Sequence, residues 1–226
     1  MRKNWFKLLY REINAVSPIT LWLFPLFAGA GLLLLLDTQA DEAMRLEQIL
    51  VAVEILLPLA VMFLSNELIL REKEENTLVF VATRSSLRTL WLRRLGILLL
   101  TSTFWVGILL ILYRFFYLSF SVGQMLFAFV SVSLALVGIS NSASLVLKEM
   151  NAGYLMGTFF WAVCWIGYRT AFVVFGPRLY LFYLWYGVRE NVNAEEWLYN
   201  KLVLAGLGIL FIFGATWFLR TERLST

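Results

Sequence analysis

Two ionisable side chains lie inside long apolar runs, where a charge is costly. Glu54 lies about five residues inside the second run, and Arg169 lies at similar depth in the fifth. Charged side chains within a bilayer usually face the protein interior or a water-filled cavity. One interpretation is a polar site along a membrane pathway, at which Glu54 and Arg169 could pair. The other is that Arg169 snorkels to the membrane surface while Glu54 reaches interfacial water.

A third pathway candidate is Asn141, in a small and polar stretch of the fourth run, Gly138–Ser144. Small residues let membrane helices approach closely, and their polar neighbours form hydrogen bonds between helices. We expect Asn141 to form the strongest of these bonds, either in helix packing or in the lining of a pathway. Gly153 and Gly157 have the spacing of a second packing face.

Side chains for nucleophilic, metal or nucleotide chemistry are scarce. The chain has no histidine and a single cysteine, Cys164, inside the fifth run. It also lacks the glycine-rich phosphate-binding loop and the G-x-S-x-G nucleophile motif. The sequence therefore predicts that the chain is not an enzyme and binds no cofactor or metal of its own.

Long apolar runs separated by short connections dominate the chain, in which 61% of residues are hydrophobic and 15% are charged. Each run approaches or exceeds the ~18–20 residues that a helix needs to cross a bilayer. The runs are continuous rather than alternating, which favours helices over a barrel. We predict an all-α integral membrane protein with one domain, residues 1–226, and six spans: Ile19–Leu36, Ile49–Leu64, Leu95–Tyr113, Val122–Leu147, Tyr154–Val174 and Leu202–Leu219.

Lysine and arginine concentrate at the N-terminus, in the connection between the second and third runs, and at the C-terminus. Because basic residues stay on the cytoplasmic side, both termini are predicted to be cytoplasmic in a multi-pass protein of the plasma membrane. The pI of about 9.3 reflects this distribution. It predicts contact with anionic lipid head groups and no binding to nucleic acid.

Two further segments are predicted to lie at the membrane surface. Residues 1–17 have apolar and basic faces at helical spacing, which is typical of an interfacial helix. The connection Phe175–Lys201 is rich in aromatic residues, which favour the outer interface. Tyr183, Trp185 and Tyr186 belong to this aromatic connection, for which short helices at the outer interface are expected.

The connection Glu67–Arg94 is the one substantial cytoplasmic segment. Glu67 and Arg71 form an i,i+4 pair, so the second span is predicted to continue as a helix beyond the membrane. Apolar Thr77–Ala82 follows, and then Thr83–Ser86 with helix-capping side chains. An apolar stretch flanked by charges suggests either a docking surface or a segment packed on its own membrane helices.

This connection resembles the segment after the second span in the ABC type-2 exporter permeases. The residues that carry the resemblance are Glu67, Arg71, Glu72, Glu74, Glu75, Asn76, Thr77 and Leu78, then Thr83, Arg84 and Ser85, and the basic pair Arg93 and Arg94. Six spans, cytoplasmic termini and an amphipathic N-terminal helix also match that family. The chain departs from the pattern at Asn76, where glycine is usual, and after Ala82, where a proline often follows.

The resemblance implies the membrane subunit of an exporter. A second permease, identical or homologous, would complete the pathway, and separate cytoplasmic ABC ATPase subunits would bind Mg-ATP and drive transport. The implied coupling residues are Glu67, Arg71, Glu72, Glu74, Glu75, Thr77, Leu78 and Phe80. The resemblance also implies that the connection Phe175–Lys201 caps the pathway through an outer cap of Tyr183, Trp185 and Tyr186, and interface anchoring alone is the alternative. The cargo would be amphipathic: a lipid, a peptide or a drug.

Other function classes stay open. A secondary transporter would show inverted repeats and several membrane carboxylates, of which the sequence offers Glu54 alone. A non-transporting membrane scaffold would need no polar pathway. Within the exporter architecture, a haem-exporter B-type subunit has a similar length.

Overall fold

The computed structural model describes residues 42–74, 87–116, 120–175, 181–184 and 195–221. The described chain is helical apart from short turns and connections. Its elements are α1 (Glu42–Val51), a π-helical turn (Ala52–Leu56), α2 (Leu57–Glu74), α3 (Leu87–Phe116), α4 (Val122–Leu147), α5 (Met150–Phe175) and α6 (Glu195–Thr221).

Four stretches of the described residues are long and apolar enough to cross a membrane: Met44–Leu68, Arg88–Phe115, Val122–Leu147 and Glu195–Trp217. The protein is therefore membrane-embedded and its described part is all-helical. The four stretches correspond to the second, third, fourth and sixth predicted runs, and helix α5 covers the fifth run. The first run and the predicted interfacial helix, residues 1–17, lie outside the described residues.

Two helices begin earlier than the apolar runs predicted. The second run is predicted to begin at Ile49, but the chain is helical from Glu42 onward. The last helix begins at Glu195, so the end of the predicted connection Phe175–Lys201 belongs to α6. Glu195 and Glu196 lie in the first turn of α6, where negative side chains interact favourably with the helix dipole.

A π-helical turn interrupts the second span just before Pro58. Proline has no amide hydrogen, so the carbonyl of Glu54 cannot receive the usual bond from the residue four positions later. The chain adopts a wider turn here, and the Leu57 amide donates to the Ala52 carbonyl. Turns of this kind redirect side chains and occur often at functional sites.

Helix α4 is the centre of the bundle, because it packs against α2, α3, α5 and α6. Ser121 caps its N-terminus by accepting a hydrogen bond from the Gln124 amide. Lys148 ends it in the left-handed conformation, at φ 59°, and α5 begins two residues later. The short connection holds α4 and α5 antiparallel.

Glycines bring α4 and α6 into close contact. A side chain on Gly138 would meet the Gly208 carbonyl at 2.6 Å, and one on Gly208 would overlap the backbone of Leu134. By contrast, a side chain on Gly206, in the same helix, would meet nothing within 4 Å. The crossing therefore requires the small residues that membrane helix interfaces favour.

We predict that Gly208→Ala lowers the free energy of unfolding by about 1–3 kcal/mol, because the new methyl group forces two backbones apart. Thermal unfolding in detergent measures the change. Gly206→Ala is the matched control and should leave stability unchanged or slightly higher, since alanine favours helix. Equal effects of the two substitutions would contradict the close crossing.

Candidate functional site

The structure pairs Glu54 with Lys201, deep between the second span and α6. The Lys201 Nζ lies 2.8 Å from the Glu54 Oε1, and both side chains are 0% exposed. Glu54 lies in the π-helical turn, whereas Lys201 lies in the second turn of α6. An isolated charge in this position would cost several kcal/mol, so each ion here requires the other.

Lys201 also binds the segment of residues 181–184, which precedes α6 in the chain. Its Nζ donates to the Leu184 carbonyl at 3.0 Å. The neighbouring Asn200 donates from Nδ2 to the carbonyls of Tyr183, at 2.8 Å, and Leu181, at 3.2 Å. Buried backbone carbonyls need hydrogen-bond donors, and these two side chains supply donors to three of them.

The same region connects to α5 as well. The Trp161 indole donates to the Ile55 carbonyl at 3.3 Å, within the π-helical turn. The Cys164 thiol lies beside the backbone of Leu184. We call Glu54, Lys201, Asn200 and the 181–184 segment the charged cluster. It joins the second span, α5 and α6 at the end of the bundle where α6 begins.

The other end of the bundle, where α2 ends and α3 begins, is called the basic end. A second polar cluster lies there, which we call the serine–asparagine cluster. Its members are buried side chains of α2 and α4: Ser65, Asn66, Ser140, Asn141 and Ser144. It contains no charge, so hydrogen bonds alone hold it together.

Two chains of hydrogen bonds run through the serine–asparagine cluster. In the first, Ser144 donates to Asn66 at 3.1 Å, Asn66 to Ser140 at 2.6 Å, and Ser140 to the Gly153 carbonyl at 2.6 Å. The second chain runs from Asn141 to Ser65 at 2.7 Å, and from Ser65 to a carbonyl one turn back. These bonds hold α2, α4 and α5 together.

Gly153 and Gly157 complete this packing. A side chain on Gly153 would overlap Ser144, and one on Gly157 would overlap Met62. Their face of α5 is therefore a close contact with α2 and α4, as the spacing of the two glycines predicts.

Two further contacts fix the helix ends at the basic end. Arg94 of α3, a buried residue, donates to the Leu68 carbonyl of α2 at 2.9 Å. The Tyr154 hydroxyl of α5 donates to the Glu67 carboxylate at 3.5 Å. The start of α3 and the end of α2 are thus tied to one another and to α5.

The predicted pathway residues have different surroundings. Glu54 is buried against Lys201, and Asn141 forms the interhelical hydrogen bond that the sequence predicts. Arg169 lies in α5, but its side chain is outside the described part of the chain. A pairing of Glu54 with Arg169, and a place for any of the three on a pathway, stay predictions.

Half of the predicted coupling residues lie beyond what the structure describes. The helix does continue past the apolar run, as predicted, since α2 includes Glu67, Arg71, Glu72 and Glu74. Glu67 is exposed. The others, Glu75, Thr77, Leu78 and Phe80, lie outside the described residues, as do Trp185 and Tyr186 of the predicted cap. Tyr183 is described and is buried.

Sequence reasoning missed Lys201, Asn200 and the two residues of α2 in the serine–asparagine cluster. It assigned Lys201 to a connection because it started the last span at Leu202. The acidic pair at Glu195 and Glu196 is the signal of an earlier helix start that could have placed Lys201 inside.

Within the described ranges, three or more histidine, cysteine or acidic side chains nowhere come together as a metal site. No protein-family model, curated protein or solved structure shows a significant match to this chain. Its function has to be inferred from its own residues.

Removing one member of the Glu54–Lys201 pair leaves a buried charge uncompensated. We predict that Lys201→Met alone lowers the free energy of unfolding by about 3–5 kcal/mol. Glu54→Leu combined with Lys201→Met should recover most of that loss, because neither charge remains. Thermal unfolding of the native protein, the two single variants and the double variant in lipid nanodiscs measures the coupling, and simple additivity of the two substitutions would contradict the pair.

We also predict that Asn66→Ala destabilises the protein by about 1–2 kcal/mol, because it leaves the hydroxyls of Ser140 and Ser144 without an Asn66 partner. Asn151→Ala is the matched control, since Asn151 is exposed near the start of α5. Chemical or thermal unfolding compares the two. Indistinguishable stability of both variants would show that the serine–asparagine cluster contributes nothing to packing.

Proposed function

We propose that this chain is the permease subunit of an ATP-driven ABC exporter of the plasma membrane, with both termini cytoplasmic. It forms the translocation pathway with a second permease, identical or homologous. Separate cytoplasmic ATPase subunits bind Mg-ATP and supply the energy. The cargo is amphipathic, in keeping with apolar and aromatic spans: a lipid, a peptide or a drug.

The observation that carries this proposal is the geometry of the basic end. Helix α2 extends beyond its apolar part to Glu74, and α3 begins at Leu87, so residues 75–86 connect two helix ends. The Arg94–Leu68 hydrogen bond and the serine–asparagine cluster hold these ends in a fixed frame. A partner that moves residues 75–86 would therefore also move α2 and α3, and with them the helices to which they are bonded.

The mechanism that fits this frame is alternating access. ATP binding would close the partner subunits, the connecting segment would follow them, and the cavity between two permeases would change its opening. The exposed Glu67 of α2 and Arg88 of α3 would contribute to a charged rim for such an interface. The apolar stretch Thr77–Ala82 would provide its centre.

The Glu54–Lys201 pair favours one other class, a secondary transporter. Ionisable residues inside membrane helices often belong to ion or proton pathways, and a buried carboxylate could couple transport to such an ion. A transporter of this kind works without an ATPase subunit, so the composition of the native complex separates the two proposals. A non-transporting scaffold likewise needs no ATPase.

The test is purification of the tagged protein from its native host in mild detergent, followed by mass spectrometry and a vanadate-sensitive ATPase assay. We expect a Walker-motif subunit to co-purify with ATPase activity. A homogeneous preparation without any ATPase under several gentle conditions would contradict the exporter proposal.

Substitutions in the connecting segment locate the interface. We predict that Leu78→Asp and Phe80→Asp abolish co-purification of the ATPase, because a charge replaces an apolar contact. Met44→Asp is the control, because Met44 is 51% exposed in α1, at the end of the bundle away from this segment. Full retention of the ATPase by both segment variants would show that the docking site lies elsewhere.

A further inference from the structure

Three polar side chains are buried without a hydrogen-bond partner among the described residues. They are Ser131 and Ser133 of α4, both 0% exposed, and Trp197 of α6, which is 3% exposed. By contrast, every side chain of the serine–asparagine cluster forms a hydrogen bond. A buried polar atom without a partner destabilises a protein, and bound water is the usual means by which such atoms are satisfied.

The two serine hydroxyls do not bond to their own helix, as hydroxyl groups in membrane helices commonly do. Bonds of that kind, to a carbonyl three or four residues earlier, are formed in the other spans by Ser65, Thr103 and Thr216. Ser131 and Ser133 therefore keep their hydroxyls available to groups that lie between the helices.

Ser131 lies on the face of α4 that contacts α6, at the depth of Lys201. One turn before Ser131, the ring of Phe127 packs edge-on against Trp197, with ring centroids 6.2 Å apart. Trp197 is in turn one turn before Lys201. The contacts between α4 and α6 follow the same order along both helices, so the helices run in the same direction. Ser131 and Lys201 are thus each one turn beyond the same aromatic contact.

Ser133 lies on the side of α4 that faces the second span. It is two turns before Asn141, which bonds to Ser65 of α2. Because α3 returns the chain between them, α2 and α4 run in the same direction, and two turns before Ser65 the second span reaches the end of its π-helical turn. Helix α4 packs against that turn, which contains Glu54. Both serines are therefore at the depth of the Glu54–Lys201 pair.

From this arrangement we infer that the bundle binds water inside the membrane, held by Ser131, Ser133 and Trp197 around the Glu54–Lys201 pair. A hydroxyl both donates and accepts hydrogen bonds and an indole donates one, so all three groups match water. They do not match a charged ligand, since Glu54 and Lys201 already neutralise each other. Water at this depth also stabilises the pair, because buried ions need further hydrogen bonds besides their mutual attraction.

This hydration site would give the polar head group of an amphipathic cargo a contact inside the membrane. That use rests on the proposed function. The binding of water itself needs neither a partner subunit nor cargo.

The sign of a stability change tests whether the hydroxyls hold water. Ser131→Ala and Ser133→Ala each remove a hydroxyl without adding volume. If the hydroxyl binds water, hydrogen bonds are lost, and we expect the thermal midpoint of unfolding in lipid nanodiscs to fall by about 2–4 °C. If the hydroxyl binds nothing, the midpoint rises instead, because a buried group without a bond is removed and alanine favours helix. Asn151→Ala, at an exposed position of α5, is the control for helix preference.

Radiolytic labelling detects the water directly. X-ray pulses convert water into hydroxyl radicals, which oxidise the side chains that touch it, and mass spectrometry then locates the oxidised residues. We expect Trp197 to be oxidised several-fold faster than Trp91, a tryptophan of α3 near the basic end that is also buried. Ser131→Ala should lower the oxidation of Trp197 towards the rate of Trp91.

Two results would overturn the inference. One is a higher unfolding midpoint in both serine variants. The other is oxidation of Trp197 at the rate of Trp91 in the native protein, since no water would then touch the Trp197 indole. Neither measurement involves ATP, a partner subunit or cargo, so failure of the hydration site and failure of the exporter proposal are separate outcomes.

Discussion

The buried ion pair of Glu54 and Lys201 is the interaction on which the arrangement of one half of the bundle depends. Two charges inside membrane-spanning helices are stable only when they meet, and meeting requires a particular rotation of the second span and of α6. The π-helical turn beside Pro58 helps to set the direction of the Glu54 side chain. Once Lys201 is fixed, it also donates a hydrogen bond to the Leu184 carbonyl of the 181–184 segment.

At the basic end, neutral hydrogen bonds hold helices together where the other end has an ion pair. The serine–asparagine cluster joins α2, α4 and α5 through neutral hydrogen bonds, each of modest energy in a membrane. Between the two ends, α4 and α6 approach closely at Gly138 and Gly208, because neither residue has a side chain that would collide with the facing backbone. The charged cluster thus lies at one end and the serine–asparagine cluster at the other, and α4 packs against the four other long helices of the described chain between them.

Much of the fold could be predicted from the sequence, because length and apolarity suffice to predict a membrane helix. The predicted fourth span and the observed helix α4 have the same bounds, Val122–Leu147. Helix α2 continues past its apolar run, as the Glu67–Arg71 pair predicts. The partner of Glu54 could not be predicted. Which cation it meets depends on where α6 begins and how it rotates, and neither is encoded in the spacing of apolar residues. Asn141 was recognisable by residue type, but its partner Ser65 lies just after the second apolar run, Ile49–Leu64, where nothing in the pattern marks it.

The most direct test of the Glu54–Lys201 pair is a zero-length chemical cross-link. Dicyclohexylcarbodiimide enters the hydrocarbon region and activates a buried carboxyl group, and an amine in contact with it then forms an amide. Peptide mapping of the treated protein should recover residue 54 joined to residue 201, and Lys201→Arg should abolish that product. Recovery of the carbodiimide adduct on Glu54, without any link to Lys201, would contradict the account.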